Sequence, residues 1–367
     1  MKLTMSTQKL KEMVSRAIKG VGNNKLIPLT SLMCIEVDDH LLTLITTDAT
    51  NYLYILEDEV AADDFYAVVD ANIFSKLISK MTCENVSLEI KPSMNVMQVK
   101  GNGNYKIELP LDEDGQPIKY PDPCDNLTNA DITSSINRTT VQVILDSVKP
   151  ALATTLENPC YTGYYMKDKV VATDTYKIAS MNVPMFDEPK LISPELLDLL
   201  SVMTDEKIEV GVYGNDIVYD THDCIVCGKF MEGVEDYAID AISGLVDTEF
   251  DSYCSVPKNV LMQLLDRLSL FVGTYDKNAV YLTFTKEGLQ VSSKAANGVE
   301  IIYYASSKNF QEFTCSIDIQ MFTQEVKAIQ SDMIELYYGE DNAIKMVDGN
   351  ITIVVALLED EELEDEE

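Results

Sequence analysis

Apolar residues recur along the chain at two different periods, and the two alternate. In KLTMSTQKLKEMVSRAIKGVG (2–22), Leu10, Met13, Val14, Ala17 and Ile18 are spaced by three and four, the period of one helix face. Val260, Leu261, Leu264, Leu265 and Leu268 repeat that stripe within 250–273. ITSSINRTTVQVILDSVKPALA (132–153) opens in the same way, as a short polar strand running into an amphipathic helix. Ser6 and Ser255 stand ahead of their helices, where a hydroxyl can cap free amides. Pro257 suits a first helical turn. Each helix is followed by a strand pair with a turn signal at its middle: Asp38-Asp39 in 32–59, Lys167-Asp168 in 161–183 and Glu287-Gly288 in 279–305. Second helices are predicted at 71–81, 193–203 and 318–330, each leading into another alternating strand pair.

These units form a repeat. The returning strands align at Thr47-Asp48, Thr173-Asp174 and Ser293-Lys294, which are 126 and 120 positions apart. Each unit holds two helices and about eight strands, which reads as an α+β architecture of antiparallel sheets with helices on one face. The expected domains are 1–128, 129–248 and 249–358. The polar, proline-bearing stretch 111–131 reads as a linker or edge loop. EDEELEDEE at 359–367 is acidic at eight of nine positions and reads as a solvated tail.

Charge narrows the function classes. The chain has 61 acidic and 28 basic side chains, a net charge of −33. That excludes a simple basic nucleic-acid binder, a polybasic membrane-surface protein and a histone-like packer. The basic residues are not evenly spread. The six predicted helices (8–20, 71–81, 138–150, 193–203, 257–271, 318–330) hold 11 Lys or Arg against 7 Asp or Glu, leaving −37 for the remainder. The three arginines, Arg16, Arg138 and Arg267, each fall on the leading helix of a unit. A solvated helix face accounts for this pattern; so does one shared surface that is weakly positive inside an acidic body. Such a surface can hold DNA phosphates loosely and without sequence preference. The surrounding acidic charge is screened beyond roughly 8 Å at physiological salt.

Catalytic and metal signals fail one by one. With two histidines, His40 and His222, a three-His zinc site within one chain is impossible. Cys224 and Cys227 form a lone CxxC, and on a strand these positions point to opposite faces. DEDGQPIKYPDP starts like a calcium loop but has Pro123 where a bidentate Glu is needed. Gly101-Asn102-Gly103 reads as a hairpin turn, and GxxxxGK[ST] is missing. Asp48 and Asp174 read as turn caps. The expectation is therefore no enzyme activity, no metal and no cofactor. The scattered cysteines suit a reduced compartment, and the sequons at Asn126, Asn137 and Asn350 are then idle. No window approaches 18 apolar residues, and the N-terminus has no apolar h-region.

The order and spacing of these pieces resemble the bacterial DNA polymerase sliding clamps, the beta processivity subunits. The resemblance covers essentially the whole chain. It is carried by MKLTMSTQKLKEMV, by LIPLTSLMCIEVDDHLLTLITTDATNYL (26–53), by VVATDTYKIASMNVP (170–184) and by the ending ITIVVALL (351–358). The 170–184 stretch is similar to the family's ATDGHRLA run, with Thr175, Tyr176, Lys177 and Ile178 in place of Gly, His, Arg and Leu. The divergence leaves a phage-encoded origin open. The resemblance implies a DNA-clamp fold closing as a head-to-tail homodimeric ring, sheets outside and helices inside, working in the cytoplasm of a bacterium or of an infected bacterial host. It implies a processivity factor that encircles double-stranded DNA. Lys9, Arg16, Lys19, Lys25, Lys76, Lys80, Arg138, Lys149, Lys258, Arg267 and Lys327 are the expected backbone contacts. By family position, the dimer would form through Tyr105 and Ile107 on one side and Phe271, Val272, Glu300 and Ile302 on the other. The family's partner groove takes short peptides of the polymerase and the clamp loader. Here its wall would be Tyr161, Thr173, Thr175, Tyr176, Lys177, Ile178, Ile242, Val246, Val354, Ala356, Leu357 and Leu358. Ala356 and Leu357 replace the family's Met and Pro, so partner peptides are expected to differ from the glutamine-leucine-phenylalanine type. The tail at 359–367 is expected to screen the groove and favour basic peptides. The alternative is an acidic DNA mimic, a decoy for a host replication or defence protein; an enzyme ranks third.

Overall fold

The computed structural model describes residues 1–91, 95–121, 130–273, 277–294, 297–339 and 342–358, with the backbone alone at Thr133. The acidic run 359–367, Cys124 and the expected border at 128 lie outside the described residues. The first third gives β1 (Lys2–Ser6), α1 (Thr7–Ala17), β2 (Leu32–Asp38), β3 (Leu41–Thr47), β4 (Tyr52–Glu57) and β5 (Phe65–Asp70). Next come α2 (Ala71–Ser79), β6 (Asn85–Lys91), β7 (Val96–Lys100) and β8 (Asn104–Glu108). The middle gives β9 (Asp131–Asn137), α3 (Arg138–Val143), β10 (Tyr164–Met166), β11 (Val170–Thr173), β12 (Lys177–Met181) and β13 (Lys190–Ile192). It continues with α4 (Pro194–Leu199), β14 (Lys207–Tyr213), β15 (Asp216–Thr221), β16 (Cys224–Lys229) and α5 (Ile239–Asp247). The last third gives β17 (Ser252–Pro257), α6 (Lys258–Leu268), β18 (Ala279–Phe284), β19 (Gly288–Ser293), β20 (Val299–Tyr303) and β21 (Ser306–Lys308). It ends with β22 (Phe313–Asp318), α7 (Ile319–Ala328), β23 (Met333–Tyr338), β24 (Ala343–Asp348) and β25 (Ile351–Ala356).

The helical stripes face inward where the spacing puts them. Leu10, Met13, Val14 and Ala17 are buried on α1, and Leu261, Leu264, Leu265 and Leu268 on α6. Val260 lies off the stripe and is 41% exposed. The caps differ from expectation. Ser6 occupies the N-cap of α1 without a side-chain bond, and Ser255 lies two residues back in β17, with Pro257 as the N-cap of α6. Aspartates cap two of the three second helices instead. Asp70 Oδ1 accepts the Ile73 amide at 2.7 Å, and Asp318 Oδ1 accepts Gln320 and Met321 amides at 2.7 and 3.0 Å. The stretch predicted as one helix over 138–150 changes pitch: α3 passes into a π-helical segment Ile144–Val148 and a 3-10 turn Lys149–Ala151. Pro150 has no amide donor, which stops an α-helix from continuing. The first β2–β3 turn falls one residue later than expected, on Asp39 and His40 with φ of 45° and 67°; two-residue hairpins of this hand require positive φ at both positions.

The chain divides into two compact units. The first comprises Met1–Val141 with Glu195–Phe230; the second comprises Gln142–Pro194 with the chain from Met231 onward. In the first unit, β1-β6-β7-β8 form a four-stranded sheet and β5-β2-β3-β4-β16-β15-β14-β9 an eight-stranded one. In the second, β13-β10-β11-β12-β25-β24-β23-β17-β21 form a nine-stranded sheet and β20-β19-β18-β22 a four-stranded one. The pairings are antiparallel. Two of them join distant segments: Leu53 lies opposite Val226 between β4 and β16, and Ala179 opposite Ile353 between β12 and β25. The large sheets therefore run straight across the borders expected near 128 and 248. Pairing an otherwise open strand edge satisfies its backbone groups.

Candidate partner groove, basic helices and sheet edges

The groove residues lie within the second unit. Ile178 on β12 sits opposite Val354 on β25. Both belong to one buried cluster with Ile242 and Val246 of α5, together with Tyr165 and Tyr237. Tyr161 packs against this cluster, its ring edge-on to Tyr237 at 5.0 Å. The sequence pattern does not predict helix α5. Its apolar positions 239, 242, 245 and 246 have helical spacing, but the run is short and carries Gly244 inside it, which lowers helix propensity. Lys345 of β24 holds the helix end, its Nζ donating to the carbonyls of Val246 and Thr248 at 2.8 and 2.9 Å. Burial lowers the pKa of this ammonium.

The turn before β12 is built by its side chains. Thr173 Oγ1 donates to the Lys177 carbonyl at 2.8 Å and accepts the Thr175 amide at 3.0 Å. Asp174 Oδ1 accepts the amides of Tyr176 and Lys177 at 3.0 and 2.9 Å. The same bonds recur in the first unit. Thr47 Oγ1 donates to the Asn51 carbonyl at 2.6 Å, and Asp48 Oδ1 accepts Thr50 and Asn51 amides at 2.9 and 2.7 Å. Both aspartates are turn caps, as expected. Each turn also places a non-glycine residue at positive φ, Ala49 at 89° and Thr175 at 78°.

Two expected wall residues point elsewhere. Thr173 is buried in its own turn. Successive strand residues face opposite ways, so Ile178 faces the cluster while Lys177 turns under the sheet. The buried Lys177 Nζ donates to the Pro150 carbonyl and to Gln324 Oε1, the latter at 2.8 Å. It lies 3.0 Å from the carboxylate of Glu325, which is fully buried in α7. Burial raises the Glu325 pKa, against the pull of Lys177. Tyr176 is 64% exposed at the turn. Ala356, Leu357 and Leu358 are half-buried and tied by their amides to the carbonyls of Tyr176, Asn342 and Ser316, each at 2.8 Å.

The cations fall into two groups. Arg16 is spent within its unit: Nη1 and Nη2 grip Asp223 at 2.7 and 3.0 Å, and Nε donates to the Val202 carbonyl at 3.0 Å. Burial opposes ionisation of Asp223, but the bond to Arg16 and its charge hold this carboxyl below the usual range. Lys258 Nζ donates to the carbonyls of Lys327 and Ile329, the former at 3.1 Å, at the end of α7. Lys9 pairs with Glu57 at 2.5 Å, and Arg267 with Glu300 at 2.5 Å. Lys149 is half-buried. Lys19, Lys25, Lys76, Lys80, Arg138 and Lys327 are exposed and form no ion pair among the described residues. Arg16 and Lys258 are therefore already engaged with oxygens of this chain.

At the sheet edges, β8 pairs with β7 alone and β20 with β19 alone among the described residues. Ile107 and Ile302 are buried inside their own sheets; Tyr105 (39%) and Phe271 (51%) are exposed, and so are Ile301 (47%) and Tyr303 (73%) of β20. Val272 is half-buried. Cys224 and Cys227 are both buried, and burial pushes the Cys224 thiol up to about 12, which suits packing rather than thiolate chemistry.

Residues 1–117 match the family described as DNA polymerase III beta subunit, N-terminal domain. Over 371 positions the chain is 22% identical to the beta sliding clamp of Rickettsia felis, covering 94% of each. The similarity to sliding clamps thus runs along the chain. The clamp fold extends over its length. The sliding clamp of Bacillus subtilis aligns at a TM-score of 0.82 and 17% identity, over 98% of this chain and 99% of that one. The DNA polymerase beta subunit of Streptococcus pyogenes aligns at 0.85 and 16%, over 98% and 100%. The acidic-decoy reading finds no support in these likenesses. No helix, among the described residues, is long and apolar enough to cross a membrane.

Proposed function

We propose that the protein is a DNA sliding clamp, a processivity factor that holds a replicative DNA polymerase on duplex DNA and does no chemistry of its own. Two copies close head to tail into a ring. The observation that carries this reading is the sheet arithmetic. Two sheets have eight and nine strands, while the other two have four, and β8 and β20 at their ends each pair on one side only among the described residues. Joining β8 of one copy to β20 of another would make an eight-stranded sheet and pair both of these edges. Three repeats, 1–128, 129–248 and 249–358, underlie the architecture; the matching turns at Thr47 and Thr173 support that division.

Within the ring, Lys19, Lys25, Lys76, Lys80, Arg138 and Lys327, with Lys9, Lys149 and Arg267 partly engaged, meet the phosphate backbone. The groove of Ile178, Ile242, Val246 and Val354, rimmed by Tyr161, Thr175, Tyr176 and Ala356–Leu358, takes short peptides of the polymerase and clamp loader. The setting is the cytoplasm of a bacterium or of an infected bacterial host. The test is retention on DNA. Loaded protein should stay on a closed circle and leave when the circle is cut; equal retention on both forms sinks the ring.

A further inference from the structure

We infer that the groove on the second unit selects a partner segment whose apolar anchors are flanked by lysine or arginine. The inference rests on the groove reading above and gives that site its partner chemistry. One wall of the groove is α5 with its lead-in. From Lys229 to Lys258 the sequence has no intervening Lys or Arg, but seven Asp or Glu. Glu235, Asp236, Asp240, Asp247 and Glu249 are all exposed, and none forms an ion pair among the described residues. Asp236, Asp240 and Asp247 are sequence neighbours of the cluster residues Tyr237, Ile239 and Val246. Asp240 and Asp168 raise the pKa of buried Tyr165, after burial, and Asp236 does the same to Cys160.

The cations that reach this wall are already engaged. Lys345 is bound to the carbonyls at the end of α5, where Asp247 and Glu249 act on its charge. Lys169 donates to Ser243 Oγ of α5 at 2.8 Å. Lys177 does not reach this wall, being buried under the sheet against Glu325. The groove therefore offers an apolar floor and a fixed anionic rim, with no free cation along α5 among the described residues. An acidic segment would meet like charge at this rim, and complementary charge sets partner choice more than raw affinity.

The experiment uses the full-length protein and labelled ten-residue peptides sharing one leucine-phenylalanine anchor, flanked by three lysines, three serines or three glutamates. A fourth peptide keeps the lysines and replaces the anchor by serine. Affinity is read by fluorescence anisotropy at 50 mM and 500 mM salt. The lysine-flanked peptide should bind about tenfold tighter than the glutamate-flanked one at low salt, with the gap closing at high salt. In the triple variant Asp236→Asn, Asp240→Asn, Asp247→Asn the preference should shrink to about twofold. If lysine and serine flanks bind alike, the charge inference fails and the groove stands. If no anchored peptide outbinds the anchorless one, the groove reading itself fails. A lysine preference undiminished in the triple variant places the recognition elsewhere on the acidic surface and overturns the inference.

Discussion

At the scale of single residues, Thr175 and Arg16 give the sharpest expectations. Thr175 holds φ at 78°, where a β-branched side chain is strained and glycine is not. Thr175→Gly should stabilise the fold by about 1 kcal/mol, read as a raised urea midpoint with an unchanged slope. A lowered midpoint would mean that the side chain makes a contact outweighing the strain. Arg16 is two-sided. Removing it by Arg16→Met strips a half-buried Asp223 of its partner and should cost about 2 kcal/mol. The pH dependence has a definite sign. The Asp223 pKa is depressed in the folded state, so its contribution is present above the ordinary value of 3.8 and is lost as pH falls through the folded one;. The wild-type advantage over Arg16→Met should thus be full at pH 7 and close in acid. His222 runs the other way. Asp205 Oδ2, 2.6 Å from Nδ1, raises its pKa above 6.5. The stabilisation is full below that value and fades as pH rises through the raised pKa. Asp205→Asn should return the His222 titration, followed by NMR, to its ordinary range.

At the scale of elements, the open strands β8 and β20 are the testable feature. Tyr105→Asp with Tyr303→Asp puts like charges on both exposed edges. The variant should scatter light as a monomer of 41.0 kDa, with an unchanged circular dichroism spectrum, where the parent should give about twice that mass. Most elements are legible in the sequence because they carry a burial period: the stripes of α1 and α6 and the alternation of the hairpins. What stays illegible has a different cause. α5 is too short for periodicity to separate it from a strand run. The β4–β16 and β12–β25 pairings are long-range and leave no local mark. The residues of this buried apolar cluster, Ile178, Ile242, Val246 and Val354, are readable in the sequence, but family position puts Lys177 on the wrong side of β12. A strand position next to an apolar wall residue faces away from it, and only the buried carboxylate of Glu325 reveals where the ammonium goes.

At the scale of the whole molecule, a net charge of −33 is compatible with the proposed DNA ligand because screening confines each charge to its own neighbourhood. Replacing Lys19, Lys76 and Lys80 by alanine should weaken binding equally on all sequences. It should also flatten the dependence of log affinity on log salt by about one for each phosphate that is no longer neutralised, measured on preloaded circles. An unchanged slope would remove these lysines from the interface.

The β4–β16 pairing also bears on how the chain is made. β4 is complete at Glu57, yet its neighbour begins at Cys224. During synthesis, at roughly 5–20 residues per second, a hydrophobic strand with unfilled hydrogen-bonding groups waits many seconds for a partner not yet translated. The nascent N-terminal portion is therefore a natural client for chaperones, and a ribosome stalled between the two strands would release a sticky fragment rather than a small folded domain.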